Sequence, residues 1–236
     1  MDAMPGRCFQ CGVALPKTEM IAHVRSCCAE DVAETPLFLL FIEDAYFPET
    51  YWLLLEIAQN ARLHVLDDFL RRAWVDCCGH YSQFLIDGEV YGRRPNPSPV
   101  DLVLDEFARA HTMDARLCDL LSPGAAMTYA YDEIWPTELH VQVLAAERGP
   151  VPEDKVRVRA RNFKPKRPCR LCGQPAVWLY TDTWPLESYC DAHARAHAAW
   201  GKSDAFLPDV NSPRVGICTY RGPAEERLRF EVHPPE

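Results

Sequence analysis

From Tyr51 to Ala58 the chain is apolar almost without a break (YWLLLEIA), which predicts a strand. Beyond it Leu63, Leu66, Leu70, Ala73, Trp74 and Cys77 recur at helical spacing and predict one buried face of a helix from about Arg62 to Cys77. Asp67, Asp68, Arg71 and Arg72 take much of the opposite side, and Gly79 stops the helix. Tyr81 to Ile86 and Glu89 to Tyr91 flank Asp87-Gly88, the signature of a hairpin with a two-residue turn. Arg93 to Pro99 (RRPNPSP) reads as a loop. Met127 to Tyr131 and Glu138 to Leu144 read as two further strands, the second alternating cleanly. Strands and helices that do not strictly alternate predict an α+β fold, mostly antiparallel sheet with packed helices.

The other regions differ in texture. Residues 1–33 are rich in cysteine, 34–150 carry the periodic core patterns, 151–168 are basic and flanked by prolines, 169–223 hold a second Cys/His unit, and 224–236 read as a flexible tail. The longest strongly apolar run, Leu37 to Ile42, is far below the roughly 20 residues a membrane helix needs. No basic segment and apolar run precede the first cysteines, so a reduced, cytoplasmic setting is expected. The eleven cysteines then read as metal ligands and buried thiols.

Two groups have ligand spacing. Cys8-x2-Cys11 is followed by His23-x3-Cys27. A Cys-x2-Cys turn offers two thiolates from one knuckle, and Gly12 suits the left-handed turn such a knuckle needs. His23 and Cys27 share a face of a short helix starting near Lys17, with Thr18 as its N-cap. Cys28 competes with Cys27 as fourth ligand. The second group, Cys169-x2-Cys172-Gly173 and Cys190-x2-His193, places its last pair at the start of a helix, Asp191 to Trp200, in a treble-clef or zinc-ribbon-like module. His197, one turn on, is an alternative to His193. Four protein ligands at each group predict two structural zinc ions per chain. Cys77, Cys118 and Cys218 are expected as buried thiols, although Cys77-Cys78-Gly79-His80 also has the look of a metal or redox site.

Net charge is −9, which disfavours bulk binding to nucleic acid. Lys155, Arg157, Arg159, Arg161, Lys164, Lys166, Arg167 and Arg170 nevertheless form a stripe with no acidic residue among them. It reads either as an exposed basic linker or, through Lys155 to Arg167, as a contact for phosphates. Gly201-Lys202-Ser203 lacks the earlier glycine of a phosphate loop, and no G-x-S-x-G or H-E-x-x-H is present.

The order Leu63-His64-Val65-Leu66-Asp67, Gly79-His80-Tyr81-Ser82-Gln83-Phe84, Ile86-Asp87-Gly88, Tyr91-Gly92, then Tyr131-Asp132 and Glu138 resembles the plasmid pRiA4b ORF-3-like family. Glu133 and Ile134 stand where that family has Phe and Gly. Trp74, Cys77-Cys78-Gly79-His80, Thr137-Glu138-Leu139, the second Cys-x2-Cys-Gly, Asn211-Ser212-Pro213-Arg214 and Cys218-x-Tyr220 are similar to its zinc-containing branch, labelled passengers of the IS1096 element. The resemblance covers roughly residues 50–222. It implies an α+β core flanked by zinc modules in a bacterial cytosol, beside a mobile element. Three functions follow as expectations: an interaction module touching nucleic acid, an enzyme using Asp132, Glu138, His140, His80 and Arg214, or a protein–protein adaptor.

Overall fold

The computed structural model describes residues 3–27, 35–94, 110–150, 155–202, 204–225 and 228. The chain opens with two short strands, β1 (Gly6–Cys8) and β2 (Ala14–Leu15), and a helix, α1 (Lys17–Ser26). Two long strands follow, β3 (Thr35–Asp44) and β4 (Trp52–Ala58), then α2 (Leu63–Leu70), which runs on through a wider π turn at Arg71–Val75. A hairpin, β5 (Ser82–Ile86) and β6 (Glu89–Arg93), and a single turn, α3 (Leu117–Leu120), precede β7 (Ala126–Tyr131), β8 (Thr137–Gly149) and β9 (Val156–Asn162). The last unit contains β10 (Trp178–Tyr180), β11 (Glu187–Tyr189), α4 (Asp191–Ala196) and β12 (Phe206–Pro208).

The first nine strands form one antiparallel sheet in the order β2-β1-β9-β4-β3-β8-β7-β5-β6, and the last three form a small sheet in the order β11-β10-β12. Both faces of the large sheet are covered near its middle. On one face α2 presses Leu63, Leu66, Leu70 and Trp74 onto Leu40, Ile42, Leu55, Phe84 and Tyr129. On the other, Met20 and Val24 of α1 pack with Leu39, Phe41, Trp52 and Leu54. This double burial explains the unbroken apolar runs: a strand with solvent on one face alternates, and one buried on both does not. Leu37 to Ile42 is therefore strand.

Local differences from expectation have physical causes. Pro16, not Thr18, stands at the N-cap of α1, with no side-chain cap hydrogen bond; Thr18 lies one residue inside the helix. The helix at α4 ends at Ala196 rather than running to Trp200. Asp67 and Arg71 do not face water: both are buried, and Asp67 accepts from Arg71, Ser82, Tyr129 and Arg93. The loop beyond Arg94, most of the tail and Cys28 lie outside the described residues.

The largest correction concerns 151–168. Val156–Asn162 is not part of a linker but forms β9, an interior strand between β1 and β4. Its arginines are spent inside the molecule. Arg157 and Arg159 both grip Glu56 on β4, the first at 2.8 Å through Nε. Arg159 also donates to the Cys27 carbonyl at 2.9 Å. Arg161 lies against the Trp74 ring and donates to the Asn211 carbonyl at 2.6 Å; burial pulls it down to about 10. Lys164 and Arg167 converge on Asp209, and Arg170 meets Glu187. Lys155 and Lys166 are exposed.

Asn211-Ser212-Pro213-Arg214 joins the last unit to this sheet. Asn162 donates to Asn211 Oδ1 at 2.8 Å, Asn211 donates back to the Asn162 carbonyl at 3.0 Å, and Ser212 donates to the Trp74 carbonyl at 2.5 Å. Substitution of Asn211 by Ala leaves the buried Asn162 amide short of an acceptor. A loss of about 2 kcal/mol is expected, read from the urea midpoint; an unchanged midpoint removes this account of the junction.

Candidate metal centres

Among the described residues the structure gathers three Cys/His tetrads, and the ligand atoms of each lie within 4.8 Å of one another. A tetrahedron with bonds of 2.3 Å to sulfur and about 2.05 Å to nitrogen has edges of about 3.8 Å between sulfurs and about 3.6 Å from sulfur to nitrogen. The tetrads can be judged against those lengths.

The first tetrad is Cys8, Cys11, His23 and Cys27. Cys8 ends β1 and is fully buried. The Gly12 amide donates to the Cys8 carbonyl at 2.9 Å, with Gly12 at φ 77°, so the knuckle needs glycine's freedom. Helix α1 then carries His23 back over it, its Nε2 3.2 Å from Cys11 Sγ. Cys27 closes the helix through a 2.8 Å bond from its amide to the His23 carbonyl. The Val13 backbone amide, with neighbouring thiols, holds Cys11 below the ordinary thiol range.

The second expected tetrad, Cys169, Cys172, Cys190 and His193, repeats the knuckle. Gly173 at φ 73° donates to the Cys169 carbonyl at 2.9 Å. Cys190 is the N-cap of α4, which aims His193 Nδ1 to 3.3 Å from Cys190 Sγ and 3.5 Å from Cys169 Sγ. Cys172 and Cys190 are 3.8 Å apart. Burial works against a thiolate at Cys169, but the amides of Cys190, Leu171 and Cys172 outweigh it and bring it down to about 6. His197 is not in this tetrad; its ring packs among Tyr180, Tyr189 and Phe206.

Cys77, Cys78, His80 and Cys218 form the third group, which spacing alone did not bring together. The turn after Val75 delivers the first three, with Gly79 at φ 77°. Asp76 accepts from the Gly79 amide and from the Tyr131 hydroxyl, while that hydroxyl accepts from the Cys77 and His80 amides, so the turn is gripped from within. Sulfur separations are 3.7 Å for Cys77–Cys78 and 3.7 Å for Cys78–Cys218. His80 Nε2 is 2.9 Å from Cys78 and 3.8 Å from Cys218. Cys77 packs partly on the core, but Cys218 is exposed, and so is Cys118; neither is the buried thiol expected. Burial raises the Cys78 thiol to about 12. At Cys218 burial also opposes ionisation, but hydrogen bonds from His80 and Cys77 prevail and lower it to about 7.

This group stands at the wall of a cavity of about 920 Å³ between the core and the last unit. Phe47, Ile134, Trp135 and Trp184 ring it, and Trp184 is 90% exposed. The five groups expected in an enzyme cleft divide between places. His80 and Asp132 line the cavity, with Arg214 buried behind Asp132 and donating to it. Glu138 faces Tyr46, whose hydroxyl it pushes up, and His140 lines a separate shallow hollow with Leu85 and Asp87.

No family model and no curated protein matches the chain. Among solved structures it is similar to a protein of unknown function, MM3350, from Methanosarcina mazei Go1, at 11% identity and a TM-score of 0.40. The match covers 50% of this chain and 64% of that one, so the chain spans less than two thirds of that protein's length. Among the described residues no helix is long and apolar enough to cross a membrane.

Proposed function

We propose that this chain is a zinc-binding interaction protein, a pRiA4b ORF-3-like α+β scaffold whose two end tetrads each hold one structural zinc ion. What carries the reading is closure: Cys8, Cys11, His23 and Cys27, and likewise Cys169, Cys172, Cys190 and His193, supply four donors at near-tetrahedral spacing. Thiolate-rich sets of this kind select zinc, and a filled tetrad cross-links chain segments instead of activating water. The shared Cys77-Cys78-Gly79-His80 and Asn211 to Arg214 segments support placing the chain with the mobile-element passengers, in a reducing bacterial cytosol.

The contact surface in this reading is the aromatic-rimmed cavity, and its occupant is an apolar segment of a partner protein. Clustered exposed aromatic side chains are enriched where proteins meet. Nucleic acid fits less well, because most of the basic stripe is paired internally. An enzyme fits less well because Asp132 is already occupied by Arg214 and the Ile134 amide.

Native mass spectrometry of the full chain is expected to show zinc, with Cys8→Ser and Cys169→Ser each removing one ion. Anisotropy with labelled single- and double-stranded oligonucleotides at about 50 mM salt is expected to stay flat. A metal-free chain sinks the zinc reading, and salt-sensitive oligonucleotide binding replaces the adaptor with a phosphate-contacting module.

A further inference from the structure

We propose that Cys77, Cys78, His80 and Cys218 form a third zinc site, one that fastens the turn around Cys218 to the core beside the cavity. The inference rests on the zinc-binding reading and extends it to residues that no spacing motif links.

Four observations converge. The first is distance. Two of the three sulfur–sulfur separations are 3.7 Å, close to a tetrahedral edge of about 3.8 Å and far from a disulfide of about 2.05 Å. The His80 contacts at 2.9 and 3.8 Å bracket the sulfur–nitrogen edge of about 3.6 Å. The second is donor chemistry: three thiols and one imidazole are the same set as in each end tetrad.

The third is backbone. Cys218 holds φ at 55°, the left-handed region that side chains disfavour, and it does so where its sulfur meets Cys78 and His80 of one turn 138 to 140 residues earlier. The fourth is the support behind the ligands. Arg214, fully buried, donates to Asp132, to the Trp135 carbonyl at 2.5 Å, to Thr137 at 3.2 Å and to Cys77 Sγ at 3.5 Å. Its bond to Cys77 fixes the direction of that sulfur, as outer partners orient the ligands of a metal.

Together the three tetrads take up nine cysteines. The site would add a cross-link to a turn already held by Ser212, Arg214 and the buried Tyr220, and His80 and Cys218 place the metal in the cavity wall. A partner entering that cavity would meet a surface whose shape depends on metal occupancy.

The test is native mass spectrometry of the full chain, isolated under reducing conditions and supplied with zinc alone, against a Cys78→Ser/Cys218→Ser variant. Three ions in the parent and two in the variant are expected. Cobalt loading separates site loss from misfolding: thiolate-to-cobalt charge-transfer intensity should fall by a third in the variant while the far-ultraviolet circular dichroism is kept. Two ions in the parent, unchanged in the variant, overturn the third site and leave the end tetrads standing. A parent mass lower by two hydrogens, with a disulfide mapped among Cys77, Cys78 and Cys218, also overturns it. No ions at all is the separate failure of the reading beneath.

Discussion

Withdrawing zinc from the full chain should strip amide protection from residues 169–208 while β3, β4 and β8 stay protected. The C-terminal unit buries a small cluster of Cys169, Tyr189, Ala194, Ala205 and Phe206, with Leu179 and Leu207 buried beside it, and among its ligands His193 lies on an α-helix of only six residues that Cys190 caps. A core that small cannot offset the chain entropy of the segment it orders, whereas a structural zinc site contributes on the order of 10 kcal/mol. The N-terminal unit should respond differently. Its strand β1 is laddered to β9, and Cys8, Met20 and Val24 pack into a sheet-wide cluster, so loosening is expected mainly at Cys11, His23 and Cys27. Hydrogen–deuterium exchange before and after a strong chelator reads both ends in one experiment. Undiminished protection across 169–208 would show that burial alone holds the unit.

Replacing Glu56 by Gln is expected to cost about 3–5 kcal/mol, as for one partner lost from a buried ion pair. Glu56 is 2% exposed and is the shared counter-ion of Arg157 and Arg159. Arg159 is buried as well, so its charge is left without an anion, and its bonds to the Val24 and Cys27 carbonyls tie the damage to the first tetrad. At this chain length each kcal/mol moves Tm by roughly 2–4 °C, so a fall near 10 °C is expected. The pair Glu56→Leu/Arg159→Met should recover most of it, because an apolar replacement of similar size removes the charge and its need for a partner together. A Glu56→Gln chain that melts with the parent would mean that Arg159 finds compensation elsewhere.

These two expectations mark where the sequence was readable. The end tetrads were legible because each packs its ligands into two short motifs, and a knuckle followed by a helix brings them together by local geometry alone. The third was not, since Cys218 reaches Cys78 only through the packing of Trp74, Asn211 and Ser212, which no spacing encodes. The strand β9 did carry a signal. Val156, Val158 and Ala160 alternate with Arg157, Arg159 and Arg161, the period of a strand. Arginine in alternate positions argued for solvent only as long as its partners were unknown: Arg157 and Arg159 meet Glu56 on one face, and a bulge in the β4–β9 pairing turns Arg161 to Trp74 on the other. Asp67 and Arg71 misled in the same way: four residues apart on a helix they look like a wet face, yet Ser82, Tyr129 and Arg93 enclose them.

The pairing of β1 with β9 sets an order of events at the ribosome. Arg7 leaves first, but its partner Arg161 follows only after about 150 further residues, roughly 8–30 s later at ordinary elongation rates. Through that interval the opening segment has only its own β1–β2 pairing and helix α1 to hold a shape. In the zinc-binding reading, metal supply during translation, rather than afterwards, then decides whether the edge of the sheet is ready when β9 arrives.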